Sequence, residues 1–160
     1  MRVNSIDPSI PPEPGTYIVV LASSHTQELR IGRAGKLQQQ PGYYFYVGSA
    51  RGPGGLRARL GRHLRGSSKR RWHIDYLRAA TNPWGAWIQL GKQHDEHLWA
   101  DALIRNQGII SAMFGFGASD CRCVTHLFYS QRAPQPDILA NTLRQANELQ
   151  PLSIEWINFA

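Results

Sequence analysis

Gly15-Thr16-Tyr17-Ile18-Val19-Val20-Leu21, followed further on by Tyr43-Tyr44-Phe45-Tyr46-Val47-Gly48-Ser49-Ala50, are the two runs whose reading decides the fold. Each is rich in β-branched or aromatic residues and too short for a helix of ordinary length. The first is apolar at consecutive positions, the pattern of a strand buried on both faces, hence a central one. The second closes in the small residues Gly48-Ser49-Ala50. Between them Leu29 to Arg33 alternates apolar with polar and suits a hairpin partner, and Pro41-Gly42 stops the glutamine run that follows it.

Downstream, Gly52, Pro53, Gly54 and Gly55 make a turn, after which Leu56, Leu60 and Leu64 repeat every fourth position as one helical stripe. Arg57, Arg59, Arg62 and Arg65 occupy the rest of that helix, and Gly61 costs it about 1 kcal/mol against alanine. Trp72 to Ala80 reads as a second helical segment, and Trp84 to Leu90 as a strand bounded by Pro83 and Gly91. Glu96 to Asn106 is a helix by the period of Leu98, Trp99, Ala102 and Leu103, with Gly108 placed to cap it. Thr125 to Tyr129 reads as the last strand. Pro136-Asp137 opens a final helix, capped by Asp137, whose apolar face is Ile138, Leu139, Leu143, Ala146 and Leu149. Interleaved strands and helices predict an α/β or α+β domain: a small central sheet, mixed or antiparallel, flanked by helices.

The 160 residues suit one domain, expected over 15–160 and preceded by a Pro-rich extended arm over 1–14. With 42% hydrophobic and 18% charged residues the chain has enough to pack a core. Its longest apolar run, Tyr17 to Ala22, is far short of the roughly 20 residues of a membrane helix. Cys121 and Cys123 stand too close for an unstrained mutual disulfide, which suggests a reducing, cytoplasmic setting. The net charge of +7 is local: Arg51 to Arg78 holds nine basic residues and one acid, Asp75, and the rest of the chain nine basic and ten acidic. One patch of +8 points to a polyanion, and nucleic acid fits better than a membrane surface because no long apolar helical face accompanies the cations.

In order along the chain, Gly15-Thr16-Tyr17, Tyr46-Val47-Gly48, the helix segment Arg59-Leu60-Gly61-Arg62-His63 and the helix opening at Glu96 resemble the GIY-YIG nuclease superfamily. More narrowly, Tyr46-Val47-Gly48-Ser49-Ala50, Trp72-His73-Ile74-Asp75-Tyr76-Leu77 and Phe116-Gly117-Ala118-Ser119-Asp120-Cys121-Arg122-Cys123 resemble its Uri-type branch, a domain sometimes fused to endonuclease III-like repair proteins. The resemblance implies a hydrolase: a metal-dependent endonuclease acting on DNA in repair or processing. It implies Glu96 as the carboxylate for one Mg²⁺ or Mn²⁺, Arg59 on the scissile phosphate, Tyr17 managing the attacking water, Tyr46 completing the tyrosine pair and His73 relaying a proton. One carboxylate with several waters suits those hard ions, and the planar fork of arginine suits a phosphate. A phenol of pKa about 10 is a poor base unless cations lower it.

The remaining cations, Arg57, Arg62, Arg65, Lys69, Arg70 and Arg71, with His63 and the bare backbone at Gly48, are expected to meet the nucleic acid. Cys121-x-Cys123-x-x-His126 offers three metal-type ligands, with Asp120, His94 or His97 available to complete a zinc site, although packed thiols are the preferred reading because the paired Cys-x-x-Cys spacing is absent. The 28 residues between Tyr17 and Tyr46 exceed a short hairpin loop and require an inserted element around Leu29 to Gln40. Asn106 is the one candidate for a late asparagine seen in several superfamily members. The alternative function is a non-catalytic nucleic-acid-binding module supporting a repair partner, and RNA stands beside DNA as substrate. Trp156, Ile157 and Phe159 either pack back on the core or meet another subunit, so oligomeric state stays open.

Overall fold

A computed structural model describes residues 7–92, 95–118, 121–146 and 153–160. The two decisive runs are its central strands. β1 (Gly15–Ser23) and β4 (Gly42–Ala50) pair antiparallel over their whole lengths, Gly15 opposite Ala50 and Ser23 opposite Gly42. On its other edge β1 pairs with β5 (Asn82–Leu90), and core layers packed on both sides of the sheet bury its side chains on both faces. The full sheet is antiparallel, six strands in the order β6-β7-β4-β1-β5-β8, with β6 spanning Ile110–Ser111, β7 Leu127–Ser130 and β8 Glu155–Asn158.

Strand alternation divides the core into two layers. Tyr17, Val19 and Leu21 point to one face with Tyr44, Ala86 and Ile88, under α1 (Gly55–Arg65) and α2 (His73–Arg78). Ile18, Val20, Phe45, Val47 and Trp87 point to the other, under α3 (Glu96–Ile104) and α4 (Pro136–Ala146). The expected stripe of α1 is there: Leu56 and Leu60 are fully buried and Leu64 nearly so. Ile138, assigned to the buried face of α4, is instead 59% exposed, because Leu139, Ala140 and Leu143 turn inward; Leu149 lies outside the described residues.

The insertion between Tyr17 and Tyr46 is a hairpin of β2 (Gln27–Arg30) and β3 (Lys36–Gln39), a separate two-stranded sheet. The inserted element around Leu29 to Gln40 is therefore made of strands, and β3 takes in part of the glutamine run. Gln39 can be buried because its amide is satisfied: Nε2 donates to Ser23 Oγ at 2.8 Å and to the Ala80 carbonyl at 3.0 Å.

Two further readings need correction. Thr125 to Tyr129 is not the last strand. β8 follows α4 and pairs with β5, Trp156 lying 4.5 Å, centroid to centroid, from Trp87 and 5.4 Å from Trp84. The C-terminal aromatics thus pack back on the sheet. The arm, of which residues 1–6 lie outside the described residues, is docked over 7–14: Ile10 is fully buried, and the carbonyls of Glu13 and Pro11 accept the N–H groups of Leu56 and Arg57 at 2.9 and 3.0 Å. Those carbonyls satisfy donors at the start of α1 that have no partner within the helix. Among the described residues no helix is long and apolar enough to cross a membrane.

Candidate active site

Antiparallel register sets the tyrosine pair. Tyr17 stands opposite Gly48 and Val19 opposite Tyr46, so the two tyrosines share a face on a diagonal, ring centroids 6.4 Å apart. Gly48 makes this possible by having no side chain, since a Cβ there would overlap the Tyr17 ring. The glycine expected to admit a nucleic-acid backbone is required first by this tyrosine. Gly117, at φ +67°, lies against the Tyr46 ring in the same way from the loop above.

Helix α1 supplies the next two groups. Arg59 and His63 are one turn apart on the same face. His63 is buried, and its Nε2 lies 2.8 Å from the Tyr17 hydroxyl. Its Nδ1 has no partner among the described residues. Arg59 lies near enough for its charge to act on the Tyr17 hydroxyl, and its guanidinium carbon sits 4.5 Å from the centre of the Trp72 ring.

Burial governs the protonation of this group. It pushes Tyr17 well above the usual phenol value, Tyr46 adding to the rise and Arg59 opposing it, and it pushes Tyr46 up to about 12. It drives His63 down to about 3, helped by the charges of Arg59 and Arg62 and opposed by Asp75. At neutral pH the site therefore holds two phenols and a neutral imidazole.

Across the cleft, Glu96 opens α3. Ser49 Oγ donates to its Oε2, and Arg51 donates to its Oε1 at 2.7 Å. Burial tends to raise its pKa, but the Ser49 hydrogen bond, its own backbone N–H and the charges of Arg51 and His97 outweigh that and hold the carboxyl below its usual value. Tyr17, Tyr46, Arg59, Ser49, Arg51 and Glu96 thus wall one open cleft of about 370 Å³, and His97, Cys121 and His126 complete it. The donor set at Glu96, carboxylate and hydroxyl oxygens, fits a hard divalent ion once the half-exposed Arg51 turns aside.

Several expected residues lie elsewhere. His73 does not line the cleft. Its Nδ1 accepts the Gly117 N–H at 2.8 Å and its ring packs on Phe116, so it holds the 115–118 turn that covers Tyr46. His63 is too buried to meet a phosphate and belongs with Tyr17 instead. Arg62 is paired with buried Asp75 at 2.8 Å, leaving Arg59 as the α1 arginine that faces the cleft, and the Nε of Arg57 donates to the Ile10 carbonyl. Arg70 bonds the Ser67 carbonyl. Arg65, Lys69, Arg70 and Arg71 remain on the exposed rim of the α1–α2 face. Asn106 bonds the Ala102 carbonyl and lines a different groove of about 600 Å³ on the α3–α4 side, where Arg132 is the one charged lining residue. Sequence reasoning missed Ser49, Arg51 and the pairing of Tyr17 with His63. The four-residue spacing of Arg59 and His63 was the signal that both share a helix face.

Cys121, Cys123, His126 and His97 converge, one ligand-type atom from each lying within 4.8 Å of all the others. Cys123 Sγ lies 2.8 Å from His97 Nδ1 and Cys121 Sγ 3.2 Å from His126 Nε2, so each thiol is paired with an imidazole. Asp120 and His94, the other ligands considered, lie outside the described residues.

The family described as "Domain of unknown function DUF123" matches residues 16–148, the span that holds every residue of this cleft. Neither the curated proteins nor the solved structures gave a match.

Proposed function

Because the chain belongs to the DUF123 family, whose description names no activity, we infer its function from the site: a metal-dependent endonuclease of the GIY-YIG, Uri-type kind that hydrolyses phosphodiester bonds in DNA. One observation carries this reading. The Tyr17 hydroxyl is hydrogen-bonded to a buried imidazole and lies beside Arg59, opposite a single carboxylate, at the border of the basic patch.

Arg59 binds a non-bridging oxygen of the scissile phosphate. A water lies against the Tyr17 hydroxyl. As its oxygen forms the new bond to phosphorus, Tyr17 Oη takes its proton and passes its own to Nε2 of His63, in the tautomer that carries hydrogen on Nδ1. The phosphorus–oxygen bond on the far side breaks, and the leaving oxygen takes a proton from solvent. His63 is a weak base chiefly because it is buried, and the charge of Arg59 is the second largest cause of its depression. A bound phosphate cancels the charge and raises the proton affinity of the imidazole when it is needed. Tyr46, its pKa near 12, stays protonated and donates to a phosphate oxygen. Mg²⁺ or Mn²⁺ held by Glu96 and Ser49 would offset the charge that develops on the phosphate. Arg65, Lys69, Arg70 and Arg71 extend the contact along the backbone, which makes binding salt-dependent and largely indifferent to sequence.

The test is nicking of supercoiled plasmid, and of branched and damaged DNA, in Mg²⁺, Mn²⁺ and chelator. Wild type should nick with metal, and Tyr17→Phe, His63→Gln and Glu96→Gln should each lose roughly 10²-fold or more. A folded wild type that binds these DNAs but cuts none under any metal would replace the enzyme with a binding module serving a repair partner.

A further inference from the structure

We propose that His97, Cys121, Cys123 and His126 form a closed, four-coordinate zinc site that fastens the loop before β7 to the start of α3, at the wall of the cleft and with a donor set distinct from that of Glu96.

The donor set is the first argument. Two thiols and two imidazoles are soft and borderline ligands, the combination of structural zinc, whereas the neighbouring Glu96 and Ser49 are hard oxygen donors. The second is geometric. A tetrahedral ion with sulfur at about 2.3 Å and nitrogen at about 2.0–2.1 Å spaces its sulfur and nitrogen ligands about 3.6 Å apart. The four atoms lie within 4.8 Å of one another, and the two sulfur–nitrogen separations of 2.8 and 3.2 Å need only small side-chain rotations to admit the ion.

The third argument concerns what surrounds the ligands. Nδ1 of His126 lies 3.2 Å from the Val47 carbonyl, so its proton belongs there and the Nε2 lone pair faces Cys121. A carbonyl that fixes the tautomer of a ligating histidine is the usual outer partner of zinc. His97 turns Nδ1 toward Cys123 at 2.8 Å, while its Nε2 lies 3.9 Å from the Glu96 carboxylate, a charge contact and not a hydrogen bond. The Cys123 N–H donates to Cys121 Sγ at 3.4 Å, a bond suited to a thiolate. The two imidazoles thus meet two sulfurs 26 and 5 residues away in sequence.

The occupant supplies what the loop lacks. Apart from Phe116 and Ala118, the described residues of 113–124 leave all their side chains at least partly exposed, Phe114 and Val124 strongly so, and they form no helix or strand. A metal joining them to α3 would fix Gly117 against Tyr46 and Glu96 against Ser49. Binding releases both thiol protons, and four protein ligands leave no position for a zinc-bound water. The proposal does not rest on the nuclease reading.

The full chain, expressed with zinc and desalted, should carry one zinc per molecule through washing with excess Mg²⁺. Exchange for Co²⁺ should give the intense near-ultraviolet thiolate-to-cobalt band and the visible bands of a tetrahedral ion, and X-ray absorption should report two sulfur and two nitrogen ligands. Cys123→Ser and His97→Ala should weaken zinc binding at least 100-fold, measured in competition with a chromophoric chelator. Should these variants not fold, the wild-type cobalt and X-ray spectra decide alone. Folded wild type with zinc at background and no thiolate–cobalt band would overturn the proposal, as would a first shell of nitrogen and oxygen only.

Discussion

His63 should make the protein lose stability on mild acidification, by an amount its surroundings fix. Burial, then Arg59 and Arg62, hold its folded pKa at about 3, against 6.5 for a free imidazole. Between those values the unfolded chain binds a proton that the folded one refuses, so the folded state is penalised progressively as pH falls from 6.5 towards 3, below which the penalty stays but grows no further. At pH 5 the penalty is about 2 kcal/mol, from 1.5 pH units below the free value at 1.36 kcal/mol each. His73 and His126, lowered chiefly by burial, act in the same direction. His63→Gln removes the His63 contribution and keeps the others. Urea denaturation of wild type and variant at pH 7 and pH 5 therefore isolates it. With a urea slope of roughly 2 kcal/mol per molar, the wild-type midpoint should fall about 1 M further than that of the variant. Equal falls in both proteins would show that the imidazole is solvated or charged in the folded state, and would remove the neutral acceptor on which the proton path depends.

Gly48→Ala should cost about 1–3 kcal/mol and reduce nicking about 100-fold by forcing the Tyr17 ring off His63, whereas Gly52→Ala, with nothing within 4 Å of its added carbon, should do neither. Thermal denaturation beside the plasmid assay checks both. Trp156→Ala should destabilise by about 3 kcal/mol by opening the stack on Trp84 and Trp87, and should leave nicking unchanged because β8 lies beyond β5 from the cleft. Equilibrium unfolding and the same nicking assay separate the two effects.

The core of this fold was legible because its strands and helices carry their own periodicity. β1 and β4 announce themselves by composition, and α1 by leucines every fourth residue. β3 and β8 did not, since Lys-Leu-Gln-Gln and Glu-Trp-Ile-Asn become strands only through partners remote in sequence, Ser23 and Ala80 for the first and β5 for the second. The same distinction separates the site residues. Tyr17, Tyr46, Arg59 and Glu96 could be placed from local motifs, and all four line the cleft. His73 and His63 could not be told apart that way, because each follows an arginine-rich stretch; what separates them is that one meets Tyr17 and the other a backbone N–H 44 residues away. The convergence of His97 with Cys121, Cys123 and His126 was likewise a tertiary fact.

Among the five tryptophans, Trp87 and Trp99 are wholly buried and Trp84 and Trp156 stack on each other, while Trp72 stands 36% exposed with the guanidinium carbons of Arg59 and Arg62 within 4.5 Å of its ring centre. The molecule thus carries its own optical probe. Trp72 should emit at the red edge of the intrinsic fluorescence and be open to an ionic quencher, and on the proposed nucleic-acid reading its emission should change when a phosphate engages Arg59. The other four emit further to the blue and serve as an internal reference, so occupancy of the basic face can be read on the unlabelled protein.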